Sequence, residues 1–424
     1  MQILPLITDT ASLAALVGRL RTADFICVDT EFIRENSYWP ELCLVQVASP
    51  AEAAAIDPLA QGLDLAPFLD LLADEAVLKV MHAGSQDLEI FWNLSGRLPA
   101  PFFDTQVAAM ALGLGEQVSY QHLVAHFTGH GIDKGARFTD WARRPLTERQ
   151  LLYAIGDVTH LADIFPRMLD QLRANGRGAW LDEEMARLTD PAAYRVDPEE
   201  AWQRLRIPGR KPDLLGRLKA LARWREIEAM DKNVPRGRIA KDEALLDIAA
   251  HPPRVQAELS RVRGLSAAWE TNAIGARLMA ALAAAEPLVI DTPAREPRGA
   301  PVPGAALVAD LLKLLLKLRA KDVGVAPRLI ARSEDLEALA AGVRDGIPLL
   351  AGWRRELFGE DALALVEGRV GFSIVGGELR MVGPARPVSQ SAEAPGEDPE
   401  PPPAGDADAK PPRRRKARTT AREG

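Results

Sequence analysis

The chain has 424 residues, too many for a single hydrophobic core, so more than one domain is expected. A net charge of −7 excludes a generally basic nucleic-acid coat, and any grip on a polyanion has to be local or shared with bound cations. There is no basic stretch before a long apolar leader and no apolar run of spanning length, and Cys27 and Cys43 sit in apolar, strand-like surroundings; the expectation is a soluble, cytoplasmic protein without a disulfide framework.

Phe25-Ile-Cys-Val28 is a short apolar, β-rich run that reads as a buried strand, and Asp29 and Glu31 stand where it ends. Residues two apart on an extended chain point to the same side, so both carboxylates can reach one site, although Asp-Thr-Glu is also ordinary turn chemistry. Leu42 to Val47 and Ala53 to Ile56 read as neighbouring strands, closed by the Asp57-Pro58 turn. Val77 to Met81 is a fourth strand, and a helix starts near Ser85 with Asp87 in its first turn, a position the helix dipole favours whatever the function. His82, after that strand, reads as a hydrogen-bonded structural group, and Asp104 as an N-cap ahead of Val107.

Lys134, Arg137, Arg143 and Arg144 flank Trp141 in a Gly-containing loop suited to holding a nucleic-acid strand. Thr147 and Gln150 then form a capping-box pattern, and Leu151, Leu152, Ile155, Val158 and Leu161 mark a helical apolar stripe. Tyr153 and Asp157 are four apart and project from one face of that helix; alone they are a common surface pair. Together with Asp29, Glu31 and Asp87 they make four carboxylates and a phenol. Hard divalent cations take carboxylate oxygen, and two of them about 3.5–4 Å apart can stabilise both the attacking and the leaving oxygen of a phosphodiester. The set points to a metal-dependent nuclease.

Asp29-x-Glu31, Asp87 and Tyr153-x-x-x-Asp157, in this order, resemble the three exonuclease motifs of the DEDD superfamily in its tyrosine-bearing branch. The surrounding VDTEF, LVQVA, HAGSQDLE, FDTQVAA, DWARRPLT and YAIGDVTHL resemble ribonuclease D over roughly the first 200 residues. The resemblance implies an α/β ribonuclease H-like exonuclease domain with a mixed central sheet. It also implies two divalent ions, Mg²⁺ or Mn²⁺, bound by Asp29, Glu31, Asp87 and Asp157, with Tyr153 positioning the attacking water. The implied reaction is release of nucleoside 5′-monophosphates from RNA 3′ ends, in trimming tRNA precursors and other small structured RNAs.

Past residue 205 helical periodicity takes over. Residues 207–213 read as a linker, and LARWREIEAMDKNVPRGRIAKDEALLDIA resembles an HRDC domain, with Lys232, Arg236, Arg238 and Lys241 around its central turn; Arg236 and Arg238 are candidate RNA contacts, or part of a solvated face. A Pro/Gly-rich break at 295–304 precedes a second helical block running to about Val382, by analogy a more divergent HRDC-like module. From about Pro387 the composition turns to Pro, Ala and acids and then to Arg and Lys, with too little apolar content for a core, so a disordered tail is expected. The expected domains are 1–205 (exonuclease), 208–288 (HRDC), 300–385 (second HRDC-like) and 387–424 (tail), in a monomer with no membrane association. No G-x-x-x-x-G-K-[ST] loop occurs, which excludes an ATP-driven motor and any nucleotide cofactor bound in that way. A DNA exonuclease of repair and a non-catalytic RNA-binding scaffold are the alternatives.

Overall fold

The computed structural model describes residues 1–132, 139–207, 209, 211–289 and 303–383. Lys134, Arg137, most of the Pro/Gly-rich break and the tail from 387 lie outside the described residues. The first domain is built on six strands, β1 (Gln2–Ile3), β2 (Phe25–Ile33), β3 (Glu41–Ala48), β4 (Glu52–Ile56), β5 (Leu78–Met81) and β6 (Phe102–Asp104), in the order β1-β4-β3-β2-β5-β6. Pairing is antiparallel for β2 with β3 and for β3 with β4, and parallel for β1 with β4, β2 with β5 and β5 with β6, so the sheet is mixed as the resemblance implies. Among the described residues seven α-helices accompany it: α1 (Thr10–Leu20), α2 (Ala66–Leu72), α3 (Ser85–Ser95), α4 (Thr105–Ala111), α5 (Tyr120–Thr128), α6 (Glu148–Ala174) and α7 (Asp182–Leu188). Strands β3, β4 and β5 are buried almost residue after residue, and with the helices packed on them they form one continuous core, which runs from Ile7 to Met185.

One strand departs from its expected length. β2 does not end at Val28 but continues through Ile33, so Asp29 and Glu31 lie inside it. Its parallel neighbour β5 pairs only as far as Cys27 opposite Val80, whereas antiparallel β3 carries the ladder on to Ile33. Asp29 and Glu31 therefore stand on a paired strand that has outrun its other neighbour, and a bulge at Glu31/Phe32 bends the strand just beyond them. The expected capping box does start α6: the Thr147 hydroxyl accepts from Gln150 N–H and the Gln150 amide accepts from Thr147 N–H.

Four helices, α8 (Pro212–Asp231), α9 (Arg236–Ile239), α10 (Asp242–Ala250) and α11 (Ala273–Ala283), form the next module around Leu218, Leu221, Leu245, Ile248 and Leu278. Gly275 is required there by packing: a Cβ would meet the Trp269 carbonyl oxygen at 1.8 Å. Tyr38, from the loop between β2 and β3, belongs to this second core and ties it to the exonuclease domain. A last set of helices, α12 (Ala305–Val323), α13 (Pro327–Ile330), α14 (Ser333–Ala340), α15 (Gly352–Arg354) and α16 (Glu360–Val366), docks back on the first domain. Ala326 and Leu329 enter the exonuclease core, Trp353 stacks on Trp180 at 4.3 Å, and buried Arg354 pairs with Glu183 and Glu184 of α7. The helical block stops at Val366. Gly371–Val375 and Glu378–Val382 instead form a hairpin, β7 and β8, turning on Gly376 and Gly377, both at positive φ. Among the described residues no helix is long and apolar enough to cross a membrane.

Candidate active site

Alternation along β2 puts Phe25, Asp29 and Glu31 on the face covered by α6, where Phe25 meets Phe165 edge-on. From the opposing helix Asp157 reaches down to the same point, and oxygens of Asp29, Glu31 and Asp157 lie within 4.8 Å of one another. Burial pushes the Asp29 carboxyl from its usual 3.8 up to about 7, and the Asp157 charge pushes in the same direction. Asp157 is also raised to about 7 by burial, against a hydrogen bond from Tyr153 that lowers it. Carboxylates crowded out of water need either protons or a cation, and three oxygen donors at this spacing fit a hard divalent ion.

Asp87 stands outside that group of three. It is 7% exposed in the first turn of α3, accepts the Thr30 hydroxyl, and is raised to about 8, first by burial and then by the charge of Asp29. Asp29, Tyr153 and Asp157 line a cavity of about 330 Å³ together with His82, Gln106 and Tyr120. Tyr153 is one helical turn from Asp157, and the Trp141 ring backs it at 6.2 Å between centroids.

Other residues singled out in the sequence prove to be supports. Asp104 caps α4 through the N–H groups of Gln106 and Val107, and also accepts from Ala83 and Gly84 N–H. Those bonds hold Ala83 at φ +56°, a costly conformation for a residue with a Cβ, at the rim of the cavity. His82 is bonded through both ring nitrogens, to the Thr105 hydroxyl at 3.0 Å and the Val118 carbonyl at 3.1 Å, and burial lowers its pKa. Arg144 is an anchor rather than a free cation: it grips Asp57 with two bonds of 2.7 and 2.6 Å and also donates to the carbonyls of Cys43 and Trp141. Trp141, at 3% exposure, presents no open ring face on which a base could stack. Arg236 lies over the Tyr38 ring and pairs with buried Glu226, and Arg238 donates to Asn36; both are engaged at the junction with the β2–β3 loop.

Sequence reasoning missed Tyr120, whose hydroxyl donates to the Asp157 carbonyl and so fixes α6 where it delivers its carboxylate. It also missed the partnership of Arg144 with Asp57. Neither contact has a local signature, because the partners are 37 and 87 residues apart.

A sequence model of the family described as 3′-5′ exonuclease matches residues 5–173, and one described as HRDC domain matches residues 215–282. Fold and site thus define a 3′–5′ exonuclease that carries an HRDC module. The chain is 63% identical over 387 residues to the Ribonuclease D of Sphingobium indicum, covering 90% of this chain and 99% of that one, and 60% identical over 384 residues to that of Zymomonas mobilis, covering 90% and 98%. The crystal structure of Escherichia coli RNase D, described as an exoribonuclease involved in structured RNA processing, superposes with a TM-score of 0.70 at 29% identity, over 86% of this chain and 98% of that one. The chain belongs to the ribonuclease D family and is a metal-dependent 3′–5′ exoribonuclease.

Proposed function

We propose that this enzyme trims the 3′ ends of tRNA precursors and other small structured RNAs in the cytoplasm, as a monomer, releasing nucleoside 5′-monophosphates one at a time. The observation that carries the metal site is the convergence of Asp29, Glu31 and Asp157 from a strand and a helix within 4.8 Å. These three, with Asp87 beside Asp29, would hold two divalent cations, Mg²⁺ or Mn²⁺. When bound, such ions neutralise the phosphate and acidify the attacking water.

The side chains of the chain do the positioning. Tyr153 orients the water through its hydroxyl, and the bound ions do the work of acidifying that water. Trp141 backs that ring, and Tyr120 holds the α6 backbone at Asp157. Lys134 and Arg137 are the candidate grips on the RNA strand. Arg236 and Arg238 lie at the HRDC junction, where contact with RNA would compete with their present partners. The E. coli relative's role in structured RNA processing supports the substrate class.

The test is a 5′-labelled tRNA with a 3′ extension, and a matched single-stranded DNA, incubated with wild type and Asp157→Asn in Mg²⁺, Mn²⁺ or EDTA. A ladder shortening from the RNA 3′ end, abolished by EDTA and by the substitution, is expected. Faster cutting of the DNA would overturn the substrate assignment, and an active Asp157→Asn enzyme the metal set.

A further inference from the structure

Gln46 lies in the middle of β3 with no exposed surface, and neither its amide nitrogen nor its amide oxygen has a hydrogen-bond partner among the described residues. A primary amide buried with both ends unmade is a costly way to fill a strand position, and an apolar side chain of the same size would fit at lower cost. Such a group calls for a reason.

Register supplies one. Gln46 stands directly opposite Asp29 in the antiparallel pair, so the two side chains leave the same face of the sheet with Cβ atoms about 4.5–5.5 Å apart. On that face of β3 its neighbours are Leu44, opposite Glu31, and Ala48, opposite Cys27; on the far side Ala55 of β4 offers only a methyl group. The Asp29 carboxylate is the nearest polar group by register. A cation bound there would cancel the repulsion between Asp29 and Asp157, and the Asp29 oxygen that does not face the ion could accept a side-chain donor beside the Thr30 backbone N–H.

We propose that Gln46 is a positioning residue of the metal site, its amide N–H donating to the Asp29 carboxylate in the loaded enzyme and so fixing which oxygen ligates. The inference rests on the reading of Asp29 as a ligand and deepens it. Groups that orient a ligand in this way are typically worth about 10- to 100-fold in metal affinity. The amide is then kept at the expense of the metal-free fold.

The experiment is titration of the full-length protein with Mn²⁺ alone, free Mn²⁺ being read by electron paramagnetic resonance, for wild type, Gln46→Met, Gln46→Leu and Asp157→Asn, with thermal melts of each in EDTA. Both Gln46 variants are expected to bind Mn²⁺ about 10- to 100-fold more weakly while melting in EDTA at the wild-type temperature or above it. Wild-type affinity in a folded Gln46 variant would overturn the proposal, because a side chain that only fills space would not change binding. Loss of folding in EDTA by both variants would overturn it as well, since the amide would then serve the metal-free fold. Wild-type protein that binds no Mn²⁺ would instead remove the metal reading itself, and this inference with it.

Discussion

Replacing Asp157 by Asn should make the metal-free protein more stable while abolishing its activity. Asp29 and Asp157 are raised from the usual 3.8 to about 7 in the fold, by burial first and, for Asp29, by the charge of Asp157. An acid raised on folding binds more protons in the native than in the unfolded state, so its contribution to stability falls as pH rises between the unfolded and folded pKa values. The window is therefore from about pH 4 to about pH 7. Three pH units at about 1.4 kcal/mol each is a penalty of roughly 4 kcal/mol for one carboxylate above pH 7. Because the two groups titrate as a pair, a single neutral substitution recovers only part of this, on the order of 2 kcal/mol, which is a rise of several degrees in melting temperature. Thermal melts in EDTA at pH 4.5 and pH 8 check this: Asp157→Asn should exceed wild type at pH 8 and approach it at pH 4.5. Adding Mn²⁺ should raise the wild-type melting temperature and leave the variant nearly unmoved. A variant less stable than wild type at pH 8, or an advantage of the same size at both pH values, would refute the reasoning.

Tyr153→Phe keeps the ring against Trp141 but removes the hydroxyl, and should lower kcat by about 10²-fold with Mn²⁺ affinity within a few-fold of wild type; single-turnover kinetics with a Mn²⁺ titration separate the two. Arg144→Ala leaves Asp57, 4% exposed, without its bidentate partner and should cost about 3 kcal/mol in urea denaturation, together with activity, as the segment at Trp141 loosens under Tyr153.

Much of the site was legible because its signals are periodic. Asp29 and Glu31 share a face by the strand repeat of two, and Tyr153 and Asp157 by the helical spacing of four, so each pair could be read without knowing its neighbours. The N-cap role of Asp104 and the capping box of α6 were equally local. The hairpin at 371–382 carried its own signal in Gly376-Gly377 between apolar runs, and was read as helix only because a helical block precedes it.

Where residues from distant segments meet, local pattern carries no information. The length of β2 depends on β3 pairing beyond the point where β5 stops, so the place of Asp29 and Glu31 within a strand is a property of the sheet. Arg144, an evident candidate for holding RNA, is paired with Asp57, while Arg236 has partners in Glu226 and the Tyr38 ring and Arg238 in Asn36. Gln46 in LVQVA is an unremarkable polar residue until register sets it opposite a buried carboxylate. The sequence by itself determined the chemistry of the site, because residue type and spacing dictate which donors a strand or helix can offer to one side. Tertiary structure decided which charges remain open and which carboxylates meet, because register and docking are set by the whole chain's competition between burial and pairing, to which no single segment holds the answer.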